Sequence, residues 1–353
     1  MKRRLPPPLP PLAVIALALA AAAGPARAQA PADTRSYAIV VGSNPGGEGQ
    51  ETLRFAERDA ASIAAVLKDL GGYPAGNITL LAQPRASQVL AALDRVESRV
   101  LADHARGLQS VVLFYYSGHA RAAALELGRD ELPLTVLRER IDALPATLKV
   151  VILDACQSGA FSGIKGVEPA ADFSYNSVAR LDAAGVAVMA SSSSTELSQE
   201  SERLGASYFT HHLLVALRGA GDTNRDGKVS LDEAYRYAYH RTLASTARTA
   251  VGRQHVTLET DLKGKGEVPL TYPAKADARL GLPASLVADI VVQSGDAIIA
   301  EVHKARGAIE LALPRGSYRL LVRQGDRLQQ CDLALPPGRT TALDLTGCRH
   351  VAI

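Results

Sequence analysis

No apolar run in the 353-residue chain is long enough to cross a bilayer, cysteine occurs only three times, and neither sign of charge is in large excess. The longest apolar run, LAVIALALAAAA at 12–23, has twelve residues, whereas a spanning helix needs about 20. It follows Lys2, Arg3 and Arg4 and precedes Ala26-Arg27-Ala28. A charged start, a short apolar stretch and an A-x-A site form the pattern of a secretory signal peptide, expected over 1–28, the competing reading being an N-terminal membrane anchor. No cysteine follows it to carry a lipid, so the remaining chain is expected to be exported, periplasmic or extracellular, and free of the membrane. The leader holds four cations and no acid, so the net charge without it is +3 − 4 = −1. The basic excess leaves with the leader, and nothing suggests a nucleic acid or an acidic partner.

Scarce cysteine has a second consequence. Cys331 and Cys348 lie 17 residues apart in a strand-rich tail and could pair in an oxidising compartment. That leaves Cys156 odd, and an odd cysteine in an exported chain is either a reactive thiol or an inert buried one. No internal repeat is present, and no low-complexity segment beyond the leader.

What is present is alternation. After a short linker (29–35), apolar strands are expected at 36–44, 77–82, 110–119, 150–153 and 185–191. Helical periodicity falls at 53–72, 87–104, 134–143, 207–218 and 231–247. That order predicts an α/β domain over 36–265, with a mostly parallel sheet covered on both faces. A linker is expected at 266–280, followed by short alternating strands that fit a small β-sandwich over 281–353.

Two of the buried strands end in residues a core has no use for: SGH at 117–119 and DAC at 154–156. In an open parallel sheet, functional groups gather at the carboxyl ends of the strands. Neighbouring parallel strands would bring His119 and Cys156 to one rim, the minimal arrangement for a thiol nucleophile with an imidazole base.

YYSGHA (115–120) and DACQSG (154–159) resemble the histidine and cysteine signatures of the caspase-like clan of cysteine peptidases, closest to metacaspases and bacterial caspase-family proteins. The resemblance runs from about 36 to 262. It implies a caspase-like fold, His119 as general base and acid, and Cys156 as nucleophile. The oxyanion hole would use the backbone N–H groups of Cys156 and Ala120. Two departures stand out. Ala120 replaces the family's usual glycine, which narrows the backbone geometry available, and the His-to-Cys separation is 37 residues against about 50 in caspases.

Asp154 occupies the place where caspases that cut after aspartate carry glutamine, and metacaspases an acid. A carboxylate at the floor of a specificity pocket selects a cationic side chain. With Asp59 as a second acid and Ser117 on the wall, the implied reaction is cleavage of proteins or peptides after Arg or Lys. Asp154 read alone could instead cap a helix, and Asp59 could lie on a helix surface. Lys165 and Arg180, in the polar stretch after Cys156, are candidate self-cleavage sites. The alternative reading is a catalytically inactive caspase-fold binding or scaffold protein.

A second motif is DTNRDGKVSLDE at 222–233. Asp222, Asn224, Asp226, Lys228, Ser230 and Glu233 fall at the ligand positions of an EF-hand calcium loop, with Gly227 at the bend. A structural Ca2+ is expected; the competing reading is an Asp/Asn/Gly turn without an ion. No organic cofactor is expected, and His211, His212, His240 and His255 have no spacing suited to a transition metal.

Overall fold

The apolar stretches become strands of one central sheet. In this computed structural model the described residues are 34–47, 49–121, 124–155, 184–193, 196–264 and 266–351. The signal peptide, Cys156, Lys165 and Arg180 lie outside the described residues.

β1 (Thr34–Ser43), α1 (Ala56–Asp69), β2 (Ile78–Ala82), α2 (Ala86–His104) and β3 (Gln109–Gly118) come first. A small antiparallel sheet follows, built from β4 (Ala120–Arg121), β5 (Ala124–Leu127) and β6 (Asp130–Pro133). Then come α3 (Leu134–Ala143), β7 (Leu148–Asp154), β8 (Ala184–Ala190), and the paired β9 (Glu200–Ser201) and β10 (Ala206–Ser207). α4 (Tyr208–Val215), β11 (Val229–Ser230), α5 (Leu231–Thr246), β12 (Thr257–Lys263) and β13 (Pro269–Thr271) complete this part.

The central sheet has the order β12-β8-β7-β3-β1-β2, parallel except for β12, which runs antiparallel along β8 at one edge. Both faces are apolar, which is why the strands read as nearly continuous hydrophobic runs. Ala38, Val40, Leu113, Tyr115, Val150 and Ile152 pack against α1, α4 and α5. The alternate residues Ile39, Val41, Phe114, Tyr116, Val151 and Leu153 pack against α2 and α3. This two-residue period decides the site. Ser117 and Asp154 continue the first set, so they emerge on the α1/α4 face.

β14 (Ala278–Leu282), β15 (Ala288–Ser294), β16 (Ala297–Lys304), β17 (Ile309–Ala312), β18 (Gly316–Gln324), β19 (Arg327–Leu335), β20 (Arg339–Ala342) and β21 (Arg349–Val351) form two sheets, β17-β14-β20 and β16-β15-β18-β19-β21. They share a core of Leu280, Leu311, Ile290, Val302, Leu320 and Val322. Cys331 and Cys348 form a disulfide with Sγ atoms 2.05 Å apart.

This C-terminal unit does not hang on a free spacer. Val215 and Ala220 from the first part belong to its core, and Arg203 makes a two-point ion pair with Glu301. Residues 266–280, expected as a linker, carry β13, a 3-10 turn and the start of β14. β13 pairs with β11, and Val268 and Leu270 are buried in the first core. Burial of those two side chains holds the stretch down. Among the described residues no helix is long and apolar enough to cross a membrane.

Candidate active site

β3 and β7 are adjacent and parallel, with Ser117 opposite Asp154 in register, so the two strands end at one rim. His119 stands just past the end of β3. The Tyr116 hydroxyl lies 2.6 Å from the His119 carbonyl oxygen and 2.8 Å from that of Glu126. Glu126 N–H also donates to His119 O at 2.9 Å. These contacts fix the backbone from which the imidazole projects.

The ring itself is oriented by the loop after β1. Nε2 lies 2.8 Å from the Glu51 carbonyl oxygen. A carbonyl only accepts, so the neutral ring carries its proton on Nε2 and leaves Nδ1 as an acceptor. Gly46 lets this loop close on the ring, because a Cβ there would stand 2.8 Å from His119 Cδ2 and 2.7 Å from Gln50 Cβ. Gly46→Ala is therefore expected to leave the fold intact and, in the reaction proposed below, to cut turnover at least about tenfold, since a misplacement near 1 Å can cost 10²-fold. Circular dichroism with kcat on an arginyl peptide checks both halves.

Ala120 does not strain the chain. Its φ is not positive, and it lies in β4 opposite Leu125. The crowded glycine is Gly118, where a Cβ would fall 2.4 Å from the Tyr116 hydroxyl. The Glu126 N–H to His119 O bond also makes Ala120–Leu125 a non-hydrogen-bonded pair. The Ala120 N–H therefore points away from β5 and is not consumed by that ladder.

Asp154 and Asp59 come together. Asp59 is 1% exposed and Asp154 3%, so neither is a surface residue. Asp154 accepts from Ser198 Oγ at 2.6 Å, from Thr210 Oγ1 at 2.7 Å and from Ser207 Oγ. Asp59 accepts from Ser207 N–H at 3.0 Å. The α4 cap is Ser207, whose Oγ takes the Thr210 N–H at 3.0 Å, so Asp154 caps no described helix. Tyr115 completes the floor, its hydroxyl 2.6 Å from Thr210 Oγ1. Glu200, on β9, accepts the N–H groups of Arg54 and Phe55 at 2.9 Å each.

The electrostatics follow from burial. Loss of hydration, then repulsion by Asp154 and Glu200, raises the Asp59 carboxyl well above its ordinary range, against hydrogen bonds from Ser207. Burial first, then Asp59 and Asp154, also raises the Tyr115 phenol. The wall carrying Ser198 is tied down by two glutamines. Gln254 Nε2 donates to Ser191 O at 2.8 Å, and Gln199 Nε2 to Gly252 O at 2.8 Å.

Sequence reasoning missed Ser198, Glu200, Ser207, Thr210, Tyr115 and the Glu51 carbonyl. It also missed Glu126, a buried acid 3.4 Å from Arg121 Nε with no hydrogen bond to either oxygen.

The loop at 222–233 is built as a sequence of side-chain-to-backbone turns. Asp222 accepts from Gly227 N–H at 3.0 Å, Asn224 from Asp226 N–H at 2.9 Å, and Asp226 from Lys228 N–H at 3.0 Å. Glu233 reaches back to Thr223 N–H and Ser230 N–H, each at 3.0 Å. The accepting atoms, which are the candidate ligands, are all hard oxygens, which suits calcium. Burial first, then Glu233 and Asp226, raises the Asp222 carboxyl. Even so, among the described residues no group of three or more His, Cys, Asp or Glu side chains is gathered as a metal site. Glu233 is turned to backbone N–H groups instead.

A parallel sheet with a histidine just past one strand, a buried aspartate at the end of the next and a second on α1 fits the layout of a caspase-like domain. The family model described as the caspase domain (peptidase C14) matches residues 35–259, and the chain belongs to that family. Among solved structures it is similar to caspase-1 from Spodoptera frugiperda, with 14% identity and a TM-score of 0.47, covering 67% of this chain and 96% of that one. No curated protein matches the sequence.

Proposed function

We propose that the chain is an exported caspase-like cysteine endopeptidase that cleaves after Arg or Lys, with His119 and Cys156 as its dyad. The observation that carries this reading is the buried acidic cluster of Asp59 and Asp154 on the face that Ser117 shares, at the rim where His119 stands. In the proposed reaction His119 Nδ1 takes the Cys156 thiol proton, and the thiolate attacks the scissile carbonyl carbon. The N–H groups of Cys156 and Ala120 stabilise the oxyanion. His119 then protonates the leaving amine, and water hydrolyses the acyl-enzyme.

Protein without its leader, compared on fluorogenic peptides ending in Arg, Lys and Asp, tests the reading, with Cys156→Ala as control. The expected result is cleavage after Arg or Lys that the substitution abolishes. Silence on all three peptides from folded protein would transfer the reading to a binding or scaffold role. Self-processing at Lys165 or Arg180 is part of the proposal, and active protein that stays intact through prolonged incubation would remove that part.

The loop at 222–233 is proposed to take a structural Ca2+, held by Asp222, Asn224, Asp226, the Lys228 carbonyl, Ser230 and Glu233. Glu233 would first leave the N–H of Thr223. A bound ion would neutralise the carboxylates and tie α5 to the preceding turn. Calcium at a hundredfold excess over its Kd is expected to add about 2.7 kcal/mol of stability. That increment, read by thermal melting, should vanish in Glu233→Gln. Equal melting with calcium and with chelator would rule the ion out.

A further inference from the structure

We propose that the buried acidic pair of Asp59 and Asp154 holds a proton when no substrate is bound and exchanges it for the cationic side chain of the substrate, with Asp59 as the exchanging group. This rests on the basic specificity proposed above and adds to it a mode of regulation.

The geometry makes the two acids unequal. Ser207 touches both, its N–H on Asp59 and its hydroxyl on Asp154. Asp154 has three hydroxyl donors from three residues, while Asp59 is compensated by Ser207 alone. Of the pair, Asp59 is the less compensated charge. The groups that face it from packed elements offer no relief: Asp154 from β7 and Glu200 from β9 are anionic, and Tyr115 from β3 is a phenol. Nearby cations are turned elsewhere, since Arg54 pairs with Glu202 and Arg58 reaches toward Gly205. Two carboxylates this deeply buried cannot both ionise without a cation between them, so the empty pair keeps a proton. The upward displacement of the Asp59 carboxyl is in keeping with this.

The exchange balances simply. A guanidinium or ammonium arrives with its single positive charge, the Asp59 carboxyl ionises, and its proton leaves to solvent. No covalent bond other than O–H breaks. Binding of a cation is therefore weak where Asp59 must be deprotonated against acid, and strengthens as pH rises. An uncharged side chain of the same shape gains nothing from the rise, so discrimination by charge becomes pH-gated.

The test uses the chain without its leader, carrying Cys156→Ala, and benzamidine as the probe cation. Titration calorimetry in two buffers of different ionisation enthalpy reads the protons released. The expected result is about one proton per benzamidine, with affinity rising about tenfold per pH unit below the pKa of Asp59. Asp59→Asn should bind benzamidine without releasing a proton and with flat pH dependence. Binding in the parent with no proton release and no pH dependence would overturn the exchange and leave the basic specificity standing. Proton release that persists in Asp59→Asn would overturn the assignment to Asp59. No binding at any pH, from folded protein, would overturn the exchange and the basic specificity together.

Discussion

Asp59→Asn protein is expected to melt higher than the parent at neutral pH and to lose the proposed cleavage after arginine, whereas Asp154→Ala is expected to lose both cleavage and stability. The contrast follows from what each carboxylate touches. The folded pKa of Asp59 is raised by burial and then by Asp154 and Glu200. A raised folded pKa means that stability is fully present below the unfolded value and declines as pH rises through the folded one. Every pH unit separating the two values withdraws about 1.4 kcal/mol once both are passed. Asparagine keeps the acceptor for Ser207 N–H and removes the charge. Melting should rise by at least about 2 °C, with a gap over the parent that widens with pH. Asp154 is the opposite case, because alanine strips the acceptor from the buried hydroxyls of Ser207 and Thr210 and from the half-buried one of Ser198. A loss of about 3–5 kcal/mol is expected there. Both variants should lose at least about 10²-fold in kcat/KM on an arginyl peptide, from 2–5 kcal/mol of lost pairing. Thermal melts across neutral pH, with kinetics on the same preparations, decide it. An Asp59→Asn protein that melts below the parent at mildly alkaline pH would sink the account.

The sequence exposes one half of this pocket and hides the other for a physical reason. Ser117 and Asp154 end long buried strands, where period-2 alternation and the parallel order place them on one rim. Asp59 was also legible in part: it falls three residues after Ala56 and four before Ile63, both buried, on the inward stripe of α1. Its acid type argued for the surface, and the pairing that overrides this lies far along the chain. Ser198, Ser207 and Thr210 meet Asp154 across 44, 53 and 56 residues. No local pattern announces a serine as a carboxylate donor at that distance. The small sheet of β4, β5 and β6 escaped for a different cause, since strands of two to four residues carry too few alternations to register. The stretch 266–280, expected as a linker, is interrupted by Pro269 and Pro273, and two buried side chains, Val268 and Leu270, anchor it.

Acid is expected to weaken the fold through a second buried cluster. His211 and His212 sit in α4, which packs on α5 and β16. Burial, chiefly, pushes the His211 imidazole down to about 4; Glu301 opposes this, while Arg218, Arg203 and Arg241 add to it. Burial, then His211, Arg241 and Arg203, lowers His212 as well. His212 Nε2 meets Ser245 Oγ at 2.9 Å, while His211 Nε2 and His212 Nδ1 have no partner. A depressed histidine pKa contributes stability that is whole above the unfolded value near 6.5 and is lost as pH falls toward the folded one. For His211 alone the loss approaches about 3 kcal/mol, from the same conversion of pKa difference to free energy. Asp59 pulls the other way, gaining stability as pH falls, so the two clusters set opposing slopes over the mildly acidic range. The slopes separate by mutation. Urea midpoints of the parent should fall from pH 7 to about 4.5, and His211→Gln with His212→Asn should flatten that fall or reverse it as Asp59 takes over. An unchanged slope in the double variant would show that protonation at this face is not what acid exploits. The C-terminal sheets would feel the effect first, because β16 brings Glu301 to Arg203 across the same contact.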